Sequence, residues 1–295
     1  MTSAFTGLLA YPITPLHDDG TPHLDALGAL VDRAVAAGVD GVTVLATSGA
    51  GTSFDDDERD AVVRTAVDAA GSRAPVYAGT ADASVARAPG RARAAVRSGV
   101  AGVVLAPFSY LPLDDAEVGA LFARVARAVP GVPVCFYNKP VQLGYDVSPE
   151  LLGRLAADGS VVAVKDPAST VSRPAGRVAA LRAGAPGIVV GLSGDAALVG
   201  SAEPADAWHT GLAALAPAEY VAVRRARVAG SAEDAAAREW LLDVARAVAA
   251  TGRPITALHA LATLLGTPTA PPRDALVPLT AADGVALAEV VGRRP

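Results

Sequence analysis

One lysine stands out as a residue that could do chemistry, because of its position and because lysine is scarce in this chain. The apolar run Val161-Val162-Ala163-Val164 leads directly into Lys165. Such a run is typical of a parallel strand buried on both faces, where burial disfavours the charged ammonium. Of the 25 basic residues only Lys139 and Lys165 are lysines. A neutral amine can attack carbon, which a guanidinium cannot do, so Lys165 is a candidate nucleophile; a strand-end lysine reaching toward solvent is the alternative.

Composition and charge exclude several classes of protein. The chain has 295 residues, 52% hydrophobic and 4% aromatic, so its core rests on Ala, Val and Leu. A net charge of −5 without a basic block argues against nucleic acid or an anionic membrane as the main partner. Cys135 stands alone and the four histidines show no ligand spacing, so no disulfide framework or metal site is expected. No signal peptide or membrane span is recognisable, and we expect a cytoplasmic protein.

Apolar runs alternate with helical patterns along most of the chain. Strands are predicted at residues 7–14, 41–45, 75–79, 102–106, 132–137, 161–165, 187–191 and, most weakly, 205–209. Eight such units predict an α/β fold, a (β/α)₈ TIM barrel, over residues 1–215. Residues 216–295 are expected to supply the last barrel helix and a C-terminal helical extension packed on the barrel. A doubly wound open sheet is the alternative, but no G-x-G-x-x-G follows the first strand.

Several helix starts carry capping signals. Ser53 with Asp56 three residues later resembles a capping box, and Ser148-Pro149-Glu150 predicts an N-cap followed by proline in the first turn. Later helices are predicted over residues 232–250, from Pro254 onward, and near 280–291.

In a barrel of this kind, functional side chains lie at the carboxyl ends of the strands and in the loops that follow. These positions hold Thr14, Thr47, Ser48, Ser109, Tyr110, Tyr137, Asn138, Lys165, Asp166, Ser193, Gly194, Asp195, His209 and Thr210. A lysine, a tyrosine and paired hydroxyls at one mouth suit Schiff-base chemistry. The amine attacks a ketone, the phenol moves protons, and hydroxyls with backbone N–H groups hold a carboxylate.

The order and spacing of these motifs resemble the dihydrodipicolinate synthase / N-acetylneuraminate lyase family of class I aldolases, along nearly the whole chain. The matching segments are Thr14-Pro15, Thr47-Ser48-Gly49, Tyr137-Asn138-x-Pro140, Lys165, Ser193-Gly194-Asp195, Pro254-Ile255 and Val277-Pro278-Leu279. The resemblance implies that Lys165 forms the Schiff base, that Tyr137 is the proton shuttle, and that the Thr47-Ser48-Gly49 loop grips the carboxylate of pyruvate. It also implies a homo-oligomer, commonly a tetramer. No metal or organic cofactor is expected, because the imine itself is the electron sink.

Three departures from the family pattern affect the second substrate. Ala50 stands where the carboxylate loop usually has glutamate, and Gln142 stands where dihydrodipicolinate synthases carry an arginine for aspartate semialdehyde. Phe108 and Ser109 replace two tyrosines of the proton relay, with Tyr110 one residue later. Authentic dihydrodipicolinate synthase activity is therefore not expected.

The predicted roles divide the site in three. Lys165, Tyr137 and Thr47 are the predicted catalytic residues, and Ser109 or Tyr110 is a candidate for the relay. The predicted substrate contacts are Ser48, Gly49, Gln142, Gly194, Asp195 and His209. For Asp195, helix capping is an equal alternative. Lys139 is expected to be solvated or to lie at a subunit contact.

The predicted function is a lyase or aldolase that forms an imine with pyruvate or a related 2-oxo acid, with an aldehyde as the second reactant. A sugar-acid dehydratase using the same imine is one alternative, since Gln142 would suit a neutral polyol tail. A non-catalytic barrel that binds 2-oxo acids is another, suggested by Ala50 and Ser109.

Overall fold

A closed barrel of eight parallel strands, paired in chain order, forms the centre of the molecule. The computed structural model describes residues 3–168, 176–200, 203–232, 234–273 and 275–295. The strands are β1 Gly7–Ala10, β2 Gly41–Val44, β3 Val76–Gly79, β4 Gly102–Leu105, β5 Val134–Tyr137, β6 Ala163–Pro167, β7 Val189–Ser193 and β8 Ala207–Thr210. Pairing of β1 with β8 closes the sheet, so the predicted TIM barrel is confirmed and the open sheet is excluded.

The first strand is shorter than predicted. It ends at Ala10 rather than at residue 14. Tyr11 still donates its N–H to the carbonyl of Thr210, with 2.9 Å between nitrogen and oxygen. Pro12 has no N–H to continue the ladder, so regular pairing stops there.

Helices follow the strands and cover the outside of the barrel. They are α1 Leu24–Ala37, α2 Asp56–Ala70, α3 Ala88–Arg97, α4 Asp115–Ala128, α5 Pro140–Leu143, α6 Pro149–Ala157, α7 Arg177–Gly184, α8 Asp195–Gly200, α9 Pro217–Ala229, α10 Ala235–Ala250, α11 Pro254–Leu264 and α12 Ala281–Val291. As predicted, Ser148 caps α6, its hydroxyl accepting from the N–H of Leu151 at 3.1 Å. None of these helices, within the ranges given, has the length and apolar character needed to cross a membrane.

The predicted capping box of α2 was placed two residues too early. Asp55 is the N-cap, and Glu58 reaches back to the backbone N–H of Asp55. Ser53 instead closes a 3₁₀ turn, its N–H donating to the carbonyl of Ala50 at 2.9 Å. Glu58 has one more methylene than Asp56, and that extra reach suits the return hydrogen bond of a capping box.

Helices α10 to α12 form the C-terminal extension. Trp240 of α10 is buried, and its indole N–H donates to the carbonyl of Val290 in α12 at 3.0 Å. Leu287 of α12 is buried as well. The division of the chain at residue 215 stays a prediction.

Side chains that alternate along the strands fill the barrel interior. The apolar members of this interior cluster are Phe5, Leu9, Tyr11, Ala46, Tyr77, Val104, Ala106, Cys135, Tyr137, Ala163, Val189 and Ala207. Because side chains repeat every two residues along a strand, Lys165 points the same way as Ala163, and His209 the same way as Ala207. The strand periodicity thus directs Lys165 into the barrel.

Gly191 on β7 leaves the space that the imidazole of His209 fills. A Cβ at Gly191 would overlap that ring. We expect Gly191→Ala to lower the free energy of unfolding by about 1–3 kcal/mol, because the interior has no room for an added methyl group. Urea unfolding measures the change. Gly90→Ala is the control, since nothing lies within 4 Å of a Cβ built at Gly90 in α3. Equal losses in both variants would contradict the crowding explanation.

Candidate active site

Lys165 lies inside the barrel between two tyrosine rings. Its side-chain nitrogen Nζ is 3.8 Å from the ring centroid of Tyr11 and 3.9 Å from that of Tyr137. The residue is only 5% exposed, so the alternative of a lysine reaching into solvent is excluded. Burial lowers the pKa of Lys165 to about 7. A large fraction of this amine is therefore neutral and nucleophilic at physiological pH.

The structure brings together two of the predicted catalytic hydroxyls. The phenol of Tyr137, at the end of β5, lies 3.3 Å from the hydroxyl of Thr47 in the loop after β2. The Tyr137 side chain is buried against the amine of Lys165, whereas Thr47 is exposed. The hydrogen bond between them links the buried side chain of Tyr137 to an exposed hydroxyl.

An asparagine and an aspartate hold the two site strands side by side. Asn138 follows Tyr137, and its amide donates to Asp166 at 2.6 Å and to Asp146 at 2.7 Å. Both Asn138 and Asp166 are fully buried. Because Asp166 follows Lys165, this hydrogen bond fixes the phenol and the amine relative to each other.

The loop after β2, residues 45–51, has an irregular backbone. Leu45 and Ala50 have positive φ angles of 58° and 46°. The hydroxyl of Thr14 donates to the carbonyl of Gly49 at 2.9 Å. Arg59 is buried and donates to the carbonyls of Gly51 and Gly79, and burial lowers its pKa to about 10. Sequence reasoning missed Arg59, since one arginine among many on a helix carries no special signal.

Ser48 and Gly49 lie in this loop, and their predicted contact with substrate stays a prediction. Gly49 is buried, and the hydroxyl of Ser48 lies against Gly211, just beyond β8. A Cβ built at Gly211 would be only 2.9 Å from that hydroxyl, so the glycine allows the loop to approach the barrel.

Tyr11 is a site residue that sequence reasoning missed. Its hydroxyl lies 2.7 Å from Nδ1 of His209, and both side chains are buried. Burial holds the pKa of His209 well below its usual value, so the imidazole is neutral. β8 directs His209 into the barrel interior, where Lys165 also lies, and its predicted contact with substrate stays a prediction.

The Ser193-Gly194-Asp195 segment lies at the same end of the barrel. The carboxylate of Asp195 accepts hydrogen bonds from the hydroxyls of Thr210 and of Tyr220, the latter at 2.8 Å. Burial raises the pKa of Asp195. Asp195 is the first residue of α8 rather than its N-cap, so the capping alternative is not supported. Contact of Gly194 or Asp195 with substrate stays a prediction.

A cavity of about 350 Å³ opens beside Tyr137 and Thr47. Its lining is Leu45, Ala46, Thr47, Ala50, Gly51, Thr52, Ser53, Gly79, Ala81, Val104, Ala106, Phe108, Tyr137, Lys139, Gln142, Leu143, Ile255, Ala275 and Leu276. Gln142 belongs to this lining, and its predicted contact with substrate stays a prediction. In the parts of the chain that the structure describes, no group of three or more His, Cys, Asp or Glu residues could hold a metal ion.

The predicted relay is not assembled within one chain. The hydroxyl of Ser109 accepts a hydrogen bond from the N–H of Leu111 at 3.2 Å. Tyr110 is 94% exposed and is not part of the cavity lining. A role for Tyr110 in a neighbouring subunit stays a prediction.

The dihydrodipicolinate synthetase family profile matches residues 4–292. The chain belongs to this family. The resemblance seen in the sequence motifs is thereby confirmed. A family member from Sorangium cellulosum, a 4-hydroxy-tetrahydrodipicolinate synthase, is 38% identical over 175 residues, which cover 59% of this chain and 56% of that protein. The aligned part thus spans little more than half the length of that relative.

Solved structures of the family match the fold along the whole chain. The dihydrodipicolinate synthase of Agrobacterium tumefaciens is 32% identical with a TM-score of 0.91, covering 99% of this chain and 98% of its own. YagE of Escherichia coli K12, solved in complex with pyruvate, is 24% identical with a TM-score of 0.87, covering 99% of both chains. The similarity to YagE, at 24% identity, shows a shared fold only.

Proposed function

We propose that this protein is a class I aldolase or lyase that forms an imine between Lys165 and the keto carbon of pyruvate or a related 2-oxo acid. The observation that carries the proposal is the amine of Lys165, buried between Tyr11 and Tyr137 with a pKa of about 7. Membership of a family in which another member was solved with pyruvate supports the choice of ligand.

The neighbouring groups supply the remaining steps. The Thr47-Ser48-Gly49 loop offers hydroxyls and backbone N–H groups to the substrate carboxylate. The neutral amine adds to the keto carbon, and Tyr137, linked to Thr47 at 3.3 Å, protonates the carbinolamine oxygen, which leaves as water. The resulting imine accepts the electron pair when the C–C bond breaks. In the opposite direction, the enamine attacks the carbonyl carbon of an aldehyde.

We also propose that the second substrate is not recognised as in dihydrodipicolinate synthases. Gln142 lies at the cavity where an arginine would be expected for aspartate semialdehyde, and its amide has no charge to offer a carboxylate. The synthase reaction is therefore not the proposed activity.

Trapping of the imine tests the function, and its pH dependence tests the role of burial. With pyruvate and cyanoborohydride, we expect mass spectrometry to find a reduced adduct on Lys165. Because only the neutral amine adds to the ketone, the initial rate should rise with pH, reach half of its maximum near pH 7, and then level off.

A trapping rate that keeps rising beyond pH 9, as for an ordinary lysine, would contradict the lowered pKa. No adduct with pyruvate or with any other 2-oxo acid would refute the Schiff-base proposal itself. An adduct without turnover across a panel of aldehydes would favour a non-catalytic binding barrel.

A further inference from the structure

The proposed reaction creates a positive charge on the side-chain nitrogen of Lys165. The neutral amine adds to the keto carbon, and the carbinolamine takes up one proton as its oxygen leaves as water. The C=N bond that remains keeps a proton on its nitrogen and carries one positive charge. Because Nζ becomes the imine nitrogen, the groups that surround Nζ in the free protein also surround this cation. Lys165 is only 5% exposed, so little water is available to stabilise the charge.

Few charged groups face this nitrogen. Among the residues that the structure describes, no carboxylate forms an ion pair with Lys165. Asp195 favours the cation from a longer distance, but its carboxylate already accepts hydrogen bonds from two hydroxyls. Burial raises the pKa of the Cys135 thiol to about 12 and holds the pKa of His209 well below its usual value, so both are uncharged. Lys139, expected from the sequence to be solvated or at a subunit contact, is instead partly buried in the cavity wall, where its charge opposes a second cation.

Two aromatic rings lie where a counter-ion would be expected. The Nζ atom is over the rings of Tyr11 and Tyr137, 3.8 and 3.9 Å from their centroids. A cation within about 6 Å of a ring centroid is attracted by the negative face of the ring, and the attraction is largest where water is excluded. The hydroxyl of Tyr137 already serves as the proton shuttle in the proposed steps. Tyr11, in contrast, contacts the reacting nitrogen and has no role in those steps.

Tyr11 is held with the face of its ring toward the amine. Its hydroxyl lies 2.7 Å from Nδ1 of His209, and the residue is buried. A Cβ at Gly191 would overlap the imidazole, so the glycine at this position of β7 leaves room for His209. Burial holds the pKa of the Tyr11 phenol well above its usual value, so the phenol stays neutral and cannot act as a counter-anion. The face of the ring is therefore what Tyr11 offers to the nitrogen.

We propose that Tyr11 is a catalytic residue whose ring face stabilises the protonated imine on Lys165. This inference rests on the proposed function. The neutral amine has no charge for the ring to attract, so the contact strengthens when the protonated imine forms. An interaction that is stronger in the intermediate than in the free amine favours formation of the intermediate. The role belongs to the ring and not to the hydroxyl, so it is retained in Tyr11→Phe.

Fluorination of the ring tests this role, because fluorine withdraws electron density from the ring face and changes the size of the ring little. In Tyr11→Phe, the new phenylalanine is replaced in turn by its 3,5-difluoro and 3,4,5-trifluoro derivatives, incorporated during translation. The readout is the rate of trapping with pyruvate below saturation, at pH 8.5, with so little cyanoborohydride that reduction of the protonated imine limits the rate. The pKa of Lys165, about 7, leaves the free amine largely neutral at this pH, so the rate reports how much protonated imine is present.

From Tyr11→Phe to its trifluoro derivative, we expect the trapping rate to fall stepwise by about 10- to 30-fold in total. This is the effect expected when a cation shielded from water loses its attraction to one aromatic face.

The same fluorinated derivatives at Phe136 are the matched control. Phe136 is a buried residue of β5 that stacks on Phe122, with 4.3 Å between the ring centroids. Because side chains alternate along a strand, Phe136 points away from the barrel interior that Tyr137 faces. Fluorination of Phe136 should leave the trapping rate unchanged. Thermal melting confirms that each variant is folded.

The outcomes separate the two proposals. If neither pyruvate nor any other 2-oxo acid forms an adduct with the wild-type protein, the proposed function fails. If adducts form at a rate that does not fall with fluorination at position 11, or that falls equally with fluorination of Phe136, the role of Tyr11 is overturned while the function stands. A fall that is not graded with the number of fluorine atoms would indicate altered packing and would also overturn that role.

Discussion

Lys165→Met removes the pyruvate adduct trapped at residue 165 and lowers kcat by at least about a thousandfold, because it removes the buried amine that is proposed to form the imine. Methionine has a similar length and no charge, so the variant keeps the packing between Tyr11 and Tyr137. Removing a buried amine also removes its desolvation cost, so the melting temperature is expected to stay equal or to rise.

Because lysine is scarce in this chain, the position of an adduct is easy to assign. Lys139 is the only other lysine, so apart from the N-terminal amine there is one alternative site for an adduct. Peptide mapping of Lys165→Met shows whether any label moves to Lys139. An adduct of undiminished yield in Lys165→Met would contradict the assignment of the nucleophile, and a large fall in melting temperature would contradict the view of Lys165 as a destabilising buried group.

Tyr137→Phe lowers kcat by about 10²- to 10⁴-fold, the range typical for loss of a positioned proton donor or acceptor. The ring remains and continues to cover the amine of Lys165, so the amine keeps its nonpolar surroundings. The adduct with pyruvate is expected to form more slowly but to reach a similar final yield. Steady-state turnover and the time course of trapping separate these two effects.

Tyr11→Phe is the matched control for this prediction. Tyr11 also covers Lys165, at 3.8 Å, but its hydroxyl is 2.7 Å from His209 rather than near the substrate loop. We expect a loss of kcat of less than about tenfold, consistent with one altered hydrogen bond away from the reacting atoms. Equal losses in the two variants would contradict the assignment of Tyr137 as the proton shuttle.

The barrel could be predicted from the sequence because each strand is a short apolar run and each helix has its own start signal. Even β8, with little β-branched content, was placed within two residues at its start. The end of β1 was misplaced, since hydrogen bonding after Ala10 depends on the partner strand and not on local apolar pattern. The capping box at Asp55 was missed because two overlapping patterns fit the same acidic segment.

Candidate site residues could be recognised in the sequence where the chemistry requires a particular residue type. They could not be recognised where packing decides the direction in which the side chain points. Lys165, Tyr137 and Thr47 are conspicuous as a nucleophile and hydroxyls at strand ends. The placement of Tyr11 and His209 depends on which face of a strand points into the barrel. That face is known only once the barrel is closed. The placement of Lys139 depends on the backbone conformation of the turn after β5. That conformation decides whether the side chain faces solvent or lines the cavity.

The hydrogen-bonded, left-handed backbone of the loop at residues 45–51 has a thermodynamic consequence for small ligands. Holding Leu45 and Ala50 in left-handed conformations costs roughly 1–2 kcal/mol each, which the buried hydrogen bonds of Arg59 and Thr14 help to offset during folding. Pyruvate has only six non-hydrogen atoms, and even the best small ligands gain no more than about 1.5 kcal/mol per atom. So small a molecule has little free energy to spare for ordering a flexible loop. In the proposed reaction, preorganisation of this loop lowers the free-energy cost of holding a three-carbon acid.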